Sequence, residues 1–496
     1  LSLLVQRLAK LCGKLVWFVL VLIPGPHTST WAEPGAGDVF REYIWRGPYV
    51  NAGNWQRVTH AGATASGSQA FLPNPVNSIT IDDLTGAVRA EIYLELWGGH
   101  AGTSHKTVRL NGHDWIPIAA PAAIPGTSGS RNLSAECYQQ FTYPSVPVPL
   151  EQLRVGGNVF EFSAGPQTCF NFGWGQWGVY AAVFRIYYDE SKPHPIGRIT
   201  HPEPGSTFAD SLHLAAEASS PNGEVARIDY IGSYEDFDFE GNGIYRQWHY
   251  RYRYGEMKNQ LATATAAPFA AVWSTDWVPD QTAPMKVMAR ITDNAGISYM
   301  TQPVGELRLQ RSGKAVKLYR PYDVPPSWQT RVGSRQGARF FIGEDLERAT
   351  AAQMMLVTWS GGHADAIGIN DSTVVKRVGS THAYSLDAVD VPLGLLRAGT
   401  NTSFTYARTV HHGIEVMWPG IALRVQYADL LQPVLPVADL PVFADELGAG
   451  WRLDRREQTI VETTAGQAFA GALALQVTPA PGFIFYLDMT AVPPVS

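Results

Sequence analysis

The side chains with chemistry to offer in this sequence fall in a few short runs. Four of its 13 histidines are His363, His382, His411 and His412. Two of these are adjacent, in Val410-His411-His412-Gly413-Ile414-Glu415, and His363 follows Trp359-Ser360-Gly361-Gly362. Imidazoles gathered by loops can ligate Zn or Cu, or exchange hydrogen bonds with sugar hydroxyls. The sugar reading takes precedence, because histidines clustered on strand loops are often not ligands. It assigns Trp359, His363, His411, His412 and Glu415 to a shallow saccharide groove with an aromatic floor. Against a binding role for His363 stands its match to His100, each following a Gly pair, which suits a residue that closes a turn.

A second run is Phe170-Asn171-Phe172-Gly173-Trp174-Gly175-Gln176-Trp177. Glycines let this backbone turn sharply and leave rings exposed. Trp174 can stack on a pyranose while Asn171 and Gln176 bond its hydroxyls; Trp177 reads as core. A third run places Asp236, Asp238, Glu240 and Asn242 around Gly241. Its first half is similar to an EF-hand calcium loop, but the twelfth position is Gln247 rather than Glu. The expectation is therefore a calcium loop within a β-module. Directly after it, Arg246, Trp248, Tyr250, Arg251, Tyr252, Arg253 and Tyr254 follow a two-residue alternation. Such a strand could turn arginines toward an acidic polysaccharide, though a solvated edge strand is the preferred reading. No GxSxG, HExxH, GxxxxGK[ST] or GxGxxG motif occurs, which removes the common serine hydrolases, the zincins and the P-loop NTPases.

These residues need elements to position them, and the composition favours strands. Charged residues are 17%, Gly and Pro number 47 and 34, and the rings include 15 Trp, 21 Tyr and 20 Phe. Few charges, many turn formers and many aromatics suit short strands. A net charge of -6 excludes a general nucleic-acid binder. The runs at 91–97 (EIYLELW) and 354–359 (MMLVTW) are strand-like and end at Gly pairs.

An internal repeat organises them. Val148-Pro149-Leu150, Leu153-Arg154, Gly156 and Asn158 recur in the same spacing as Val391-Pro392-Leu393, Leu396-Arg397, Gly399 and Asn401. Trp97-Gly98-Gly99-His100 is echoed by Trp359-Ser360-Gly361-Gly362-His363, and Asn111 by Asn370. Trp177 and Trp418 each precede a final strand. These motifs resemble the galactose-binding-like jelly-roll β-sandwiches that serve as carbohydrate-binding modules. The resemblance places repeats at 35–190 and 312–430. Between them, at 196–310, Pro202-Glu203-Pro204-Gly205, the strand at 225–230 and Asp293-Asn294-Ala295-Gly296 resemble a bacterial immunoglobulin-like module of secreted polysaccharide-degrading enzymes.

The termini complete the organisation. Arg7, Lys10 and Lys14 precede an apolar stretch at 15–23, and Thr30-Trp31-Ala32 fits a small-residue cleavage site, so residues 1–32 read as a signal peptide. Its removal takes Cys12 and leaves Cys137 and Cys169 as a disulfide candidate in an exported protein. A Pro-rich linker at 431–441 leads to 442–496, which resembles the start of a further β-sandwich, short enough to suggest truncation. The whole reads as an all-β, multi-domain chain: two repeated jelly-roll β-sandwiches separated by an immunoglobulin-like β-sandwich. The expected function is polysaccharide binding at the cell surface or in secretion, ancillary to polysaccharide degradation, with no nucleic-acid partner and no stable membrane span after cleavage. Calcium is the expected ion, ahead of Cu or Zn at the repeat-two histidines. The alternatives are a secreted hydrolase, lyase or metal-dependent oxidase centred on those histidines, and a structural or adhesive surface protein.

Overall fold

A computed structural model of the chain describes residues 34–48, 53–124 and 134–428, with four short strands, Trp451–Asp454, Ile460–Thr464, Ala474–Thr478 and Tyr486–Met489. The signal-peptide segment and the Pro-rich linker lie outside the described residues. Among those described, strands dominate; the α-helical content is a single turn, Ser66–Gln69. None of the helices described is long and apolar enough to cross a membrane.

The first sandwich has one sheet ordered Val39–Arg46, Gln176–Tyr188, Ala87–Trp97, with Phe141–Thr142 and Ser145–Val148 on the far side of Ala87–Trp97. Its second sheet is ordered Val76–Ile81, Gly156–Ser163, Thr107–Leu110, Ile116–Pro117. The later sandwich pairs Lys314–Tyr319 with Ala422–Ala428, then Ala349–Trp359, then Tyr384–Asp390. Facing it are Ser334–Ile342, Gly399–Ala407, Ala366–Ile369 and Ser372–Val375 in that order. Strand for strand, the two orders are the same.

The asparagines of the shared motif carry the same task in both places. Asn158 accepts from the Arg154 amide and donates to the Arg154 and Gly156 carbonyls, closing the turn before its own strand. Asn401 does so with Arg397 and Gly399. Asn111 and Asn370, at φ 49° and 56°, then bridge to those asparagines, at 2.8 and 3.0 Å. Asparagine tolerates this left-handed conformation because its short amide can bond locally.

Gln176–Tyr188 is buried along its whole length and Ala87–Trp97 from Ala90 onward, because their sheet is covered on both faces. Val179, Phe184 and Ile186 point into the first sandwich with Trp177, Phe160 and Phe162. Tyr180, Val183 and Tyr187 point the other way, with Tyr93 and Trp97, into a second core. That core is shared by all three modules: Tyr250, Tyr252 and Met257 enter it from the middle one, and Met355, Val357, Trp359 and Tyr384 from the later sandwich. The middle module is also joined through its backbone, since Ile297–Met300 pairs with Val39–Arg46 and carries one 13-stranded sheet across the boundary.

Cys137 and Cys169 form a disulfide, with Cα atoms 5.7 Å apart across a separation of 32 residues. Hydrogen bonds from Gly102 to the Glu136 carbonyl and from Thr168 to the Gly102 carbonyl seat both ends against the same loop. In the chain-entropy account a loop of this length contributes roughly 3–4 kcal/mol. Reduction is therefore expected to lower the unfolding free energy by that amount, read from urea denaturation with and without a thiol reductant; an unmoved midpoint would show that the bond constrains nothing.

Candidate functional site

The strands Ala87–Trp97 and Ala349–Trp359 run to the same end of the molecule, where their last residues meet. Trp97 and Trp359 stack with ring centres 5.2 Å apart and planes 14° from parallel. Trp55 packs edge-on against both, at 5.5 and 6.4 Å. Each central indole hydrogen-bonds across to the other sandwich: Trp97 Nε1 donates to Glu415 and Trp359 Nε1 to the Tyr180 hydroxyl, both at 3.1 Å. The Gly pairs after these tryptophans let each chain turn tightly against its own sandwich. A Cβ at Gly99 would run into the Gln176 carbonyl, and one at Gly361 would lie 2.6 Å from Thr358 Oγ1.

Beside this joint opens a cleft of about 510 Å³. Trp55, Arg57 and Phe71 of the first sandwich form one wall; Trp359, His382, His411 and His412 of the later one form the other. The Arg57 guanidinium lies 3.7 Å from the Phe71 ring centre and 5.0 Å from that of Trp55. Burial draws its pKa down to about 10. A more open groove of about 630 Å³ adjoins, lined by His363, Asp365, Arg377, Arg408 and His411.

The imidazoles form a tight group. The ring centres of His411 and His412 are 3.9 Å apart, those of His382 and His412 4.7 Å, and His363 stands 5.4 Å from His382. Burial, then the neighbouring His411 and His382, lowers the His412 pKa to about 4. His382 is lowered in the same direction by burial and by His363 and His411. With their pKa values lowered, the His382 and His412 rings are neutral at pH 7, so each presents one N–H donor and one acceptor nitrogen.

Of the residues expected on the groove, Trp359, His411 and His412 line the cleft, and His363 lies in the neighbouring groove. Glu415 is not on a rim. It is 1% exposed, accepts from Trp97 and from Gln329 Nε2, and burial pushes its carboxyl up to about 8. Trp174, Asn171 and Gln176 are not among the cleft residues. Trp174 sits half-buried, edge-on to His100; Asn171 accepts from the Gly173 amide; Gln176 is buried with its amide 3.3 Å from His100 Nε2. His100 itself is enclosed by Trp97, Phe172 and Trp174.

The acidic turn is engaged by protein donors. Asp236 pairs with Arg424, and Asp238 accepts from the amides of Asn242 and Gly243. Glu240 pairs with His249 at 3.2 Å, and Asn242 bonds Gln247 and the Ile244 amide. Burial opposes protonation of His249, but the Glu240 charge outweighs it and raises the pKa to about 9. Among the described residues, only His382, His411 and His412 bring three potential ligand atoms within 4.8 Å of one another.

The expected arginine face is corrected. Pairing breaks at Tyr250, between Arg246–His249 and Arg251–Arg253. Arg246 is held by the Ala283 and Pro284 carbonyls, and Arg251 is buried against the Tyr143 hydroxyl and Asn259. Sequence reasoning also left His382, Trp55, Arg57 and Phe71 outside the site. His382 was visible as a fourth histidine, and Trp97 as the repeat partner of Trp359. Nothing in the local pattern marks Arg57 or Phe71.

No protein-family model and no curated protein matches the chain. Among solved structures it is similar to a β-porphyranase of glycoside hydrolase family 86 from Bacteroides plebeius, at 11% identity and a TM-score of 0.19, over 45% of this chain and 35% of that one. It is also similar to fibronectin(III)-like modules of Clostridium thermocellum CbhA, at 13% identity and a TM-score of 0.17, over 48% of this chain and 86% of that one. A DUF4785 family protein from Legionella pneumophila matches at 8% identity and a TM-score of 0.20, over 82% and 90% of the two chains. The match spans about a third of the porphyranase's length. Likenesses of this strength assign neither an activity nor a ligand, and the chain's architecture is stated from its own strands: an all-β protein of packed sandwiches.

Proposed function

We propose that the chain is an exported polysaccharide-binding protein that takes a saccharide into the cleft between its two outer sandwiches. The observation that carries this is the cleft's lining: three aromatic rings, Trp55, Phe71 and Trp359, beside three imidazoles and one guanidinium. Rings can cover the C–H faces of a pyranose, and histidines and Arg57 can bond its hydroxyls or a carboxylate substituent. A volume of about 510 Å³ suits a short stretch of glycan. The disulfide supports export, since such bonds persist in oxidising compartments.

Affinity electrophoresis of the full chain against a panel of neutral and acidic polysaccharides tests this. Phe71 is 41% exposed, so Phe71→Ala leaves the core intact. Losing one stacking ring is expected to weaken binding by about tenfold, the equivalent of roughly 1.4 kcal/mol. Trp174→Ala is expected to leave binding unchanged. The opposite pattern would move the binding surface to the loop at 170–178, and no retention on any matrix would remove the reading.

A further inference from the structure

We propose that His382, His411 and His412 form a binding site for one borderline divalent transition-metal ion, Zn²⁺ or Cu²⁺, open toward the aromatic cleft. The inference does not rest on saccharide binding.

The first support is convergence. One ring nitrogen from each residue lies within 4.8 Å of the other two. Three imidazoles around a tetrahedral Zn²⁺ at about 2.0–2.1 Å have nitrogens roughly 3.4 Å apart. Modest side-chain rotation closes that difference. His382 meets His411 and His412 edge-on, at 67° and 88°, and the His411 and His412 rings are tilted 56° to each other.

The second is vacancy of donors. Among the described residues, the hydrogen bonds at His382 and His411 are made by their backbone amides, to Ser360 Oγ and Thr409 Oγ1. The ring nitrogens of the three histidines carry none. Here the backbone is pinned and the rings are left over. A fourth imidazole adjoins: His363 Nε2 is buried without a partner, and its ring centre is 5.4 Å from that of His382.

The third is selectivity. The set is nitrogen only, with no carboxylate among its members. Such a set suits Zn²⁺ or Cu²⁺ and is wrong for the hard ions Ca²⁺ and Mg²⁺, which take oxygen ligands. Arg57, on the opposite wall, is the cation that an incoming ion must tolerate, and the cleft gives it solvent on one side. With three protein ligands, a tetrahedral ion keeps one position free, and the cleft is where that position opens.

The test uses the full exported chain, stripped with chelator and dialysed. Titration calorimetry with ZnCl₂, and separately CuSO₄, is expected to show about one ion per chain. His382→Gln and His412→Gln are each expected to weaken affinity by about 100-fold or more, since even outer-shell changes at metal sites cost about 10–100-fold. Cu²⁺-loaded wild type is expected to show nitrogen hyperfine splitting in its electron paramagnetic resonance spectrum, which needs no variant. Absence of that splitting, or uptake unchanged in the His382→Gln/His411→Gln/His412→Gln triple variant, would overturn the proposal. Polysaccharide retention measured with chelator present keeps the two readings separate: retention without metal leaves saccharide binding standing whatever the titration shows.

Discussion

Replacing Glu42 with alanine is expected to destabilise the fold by about 3–5 kcal/mol, the typical cost of removing one partner from a buried charge network. Glu42 sits where the first sandwich meets the middle module. It accepts from Arg185 Nε at 3.0 Å, from Arg290 Nη2 at 2.8 Å and from the Tyr252 hydroxyl at 2.7 Å. Arg185 keeps a second partner in Glu91, but Arg290 has no other carboxylate contact among the described ion pairs. The variant would leave the buried Arg290 guanidinium without its paired carboxylate, with, among the described residues, only the Ser298 and Tyr252 hydroxyls to receive its donors. The loss should appear as a lower urea midpoint at unchanged slope. Arg41→Ala is the control, because its pair with Asp82 is exposed and worth at most about 1 kcal/mol. Equal losses in the two variants would refute the network's role. The same residue sets a pH dependence. Burial would raise the Glu42 pKa, but the charges of Arg290 and Arg185 prevail and hold it at about 2, against an ordinary 4.5. A depressed carboxylate stabilises the fold above its unfolded pKa. Its contribution is thus complete above about pH 4.5 and is lost as pH falls toward 2. Glu42→Ala should flatten the acid limb of the stability curve in that window.

Trp97→Ala is expected to cost about 3–5 kcal/mol, as for other large aromatic truncations in a core. The residue is 1% exposed and holds the joint between the two outer sandwiches through its stack on Trp359 and its edge contact with Trp55. It is also one of two donors to the buried Glu415. Without it, burial would act on that carboxyl with less opposition, and its pKa would rise above the present value of about 8. Trp97→Phe separates the two contributions: it keeps a ring in the stack and loses the donor, and is expected to cost about 1–3 kcal/mol. If Trp97→Ala and Trp97→Phe cost the same, the hydrogen bond rather than the stack carries the joint. A Trp97→Ala chain with an unchanged denaturation midpoint would show that the sandwiches do not depend on one another.

Local pattern was enough for the strands and turns. The apolar runs at 91–97 and 354–359 are strands, the asparagines at 158 and 401 close matching turns, and the cysteine pair is bonded. What local pattern does not encode is which module covers an apolar face. Alternation alone set Arg251 outward; the structure buries it because Tyr143 and Asn259 are there to receive its donors. The match of Trp177 with Trp418 failed for a related reason. Trp97 pairs with Gly178 and Trp359 with Glu415, so Ile414, not Trp418, stands where Trp177 does. Trp418 instead packs edge-on against Tyr138 of the first sandwich. The cleft was half legible for the same cause. Its histidines cluster in sequence, whereas Arg57 and Phe71 reach it from across the chain.

The unbroken sheet that runs through the pairing of Val39 with Tyr299 has a mechanical meaning. Ordinary multi-modular chains flex at their linkers, so that a binding jaw can widen or shut. Here the backbone ladder splints the first and middle modules, and the shared aromatic core ties the later sandwich to both, which opposes any change in the jaw's gape. For the saccharide proposed above, selection would then be by girth: a glycan that fits would enter without waiting for a motion, and a bulkier one would have no hinge to bend.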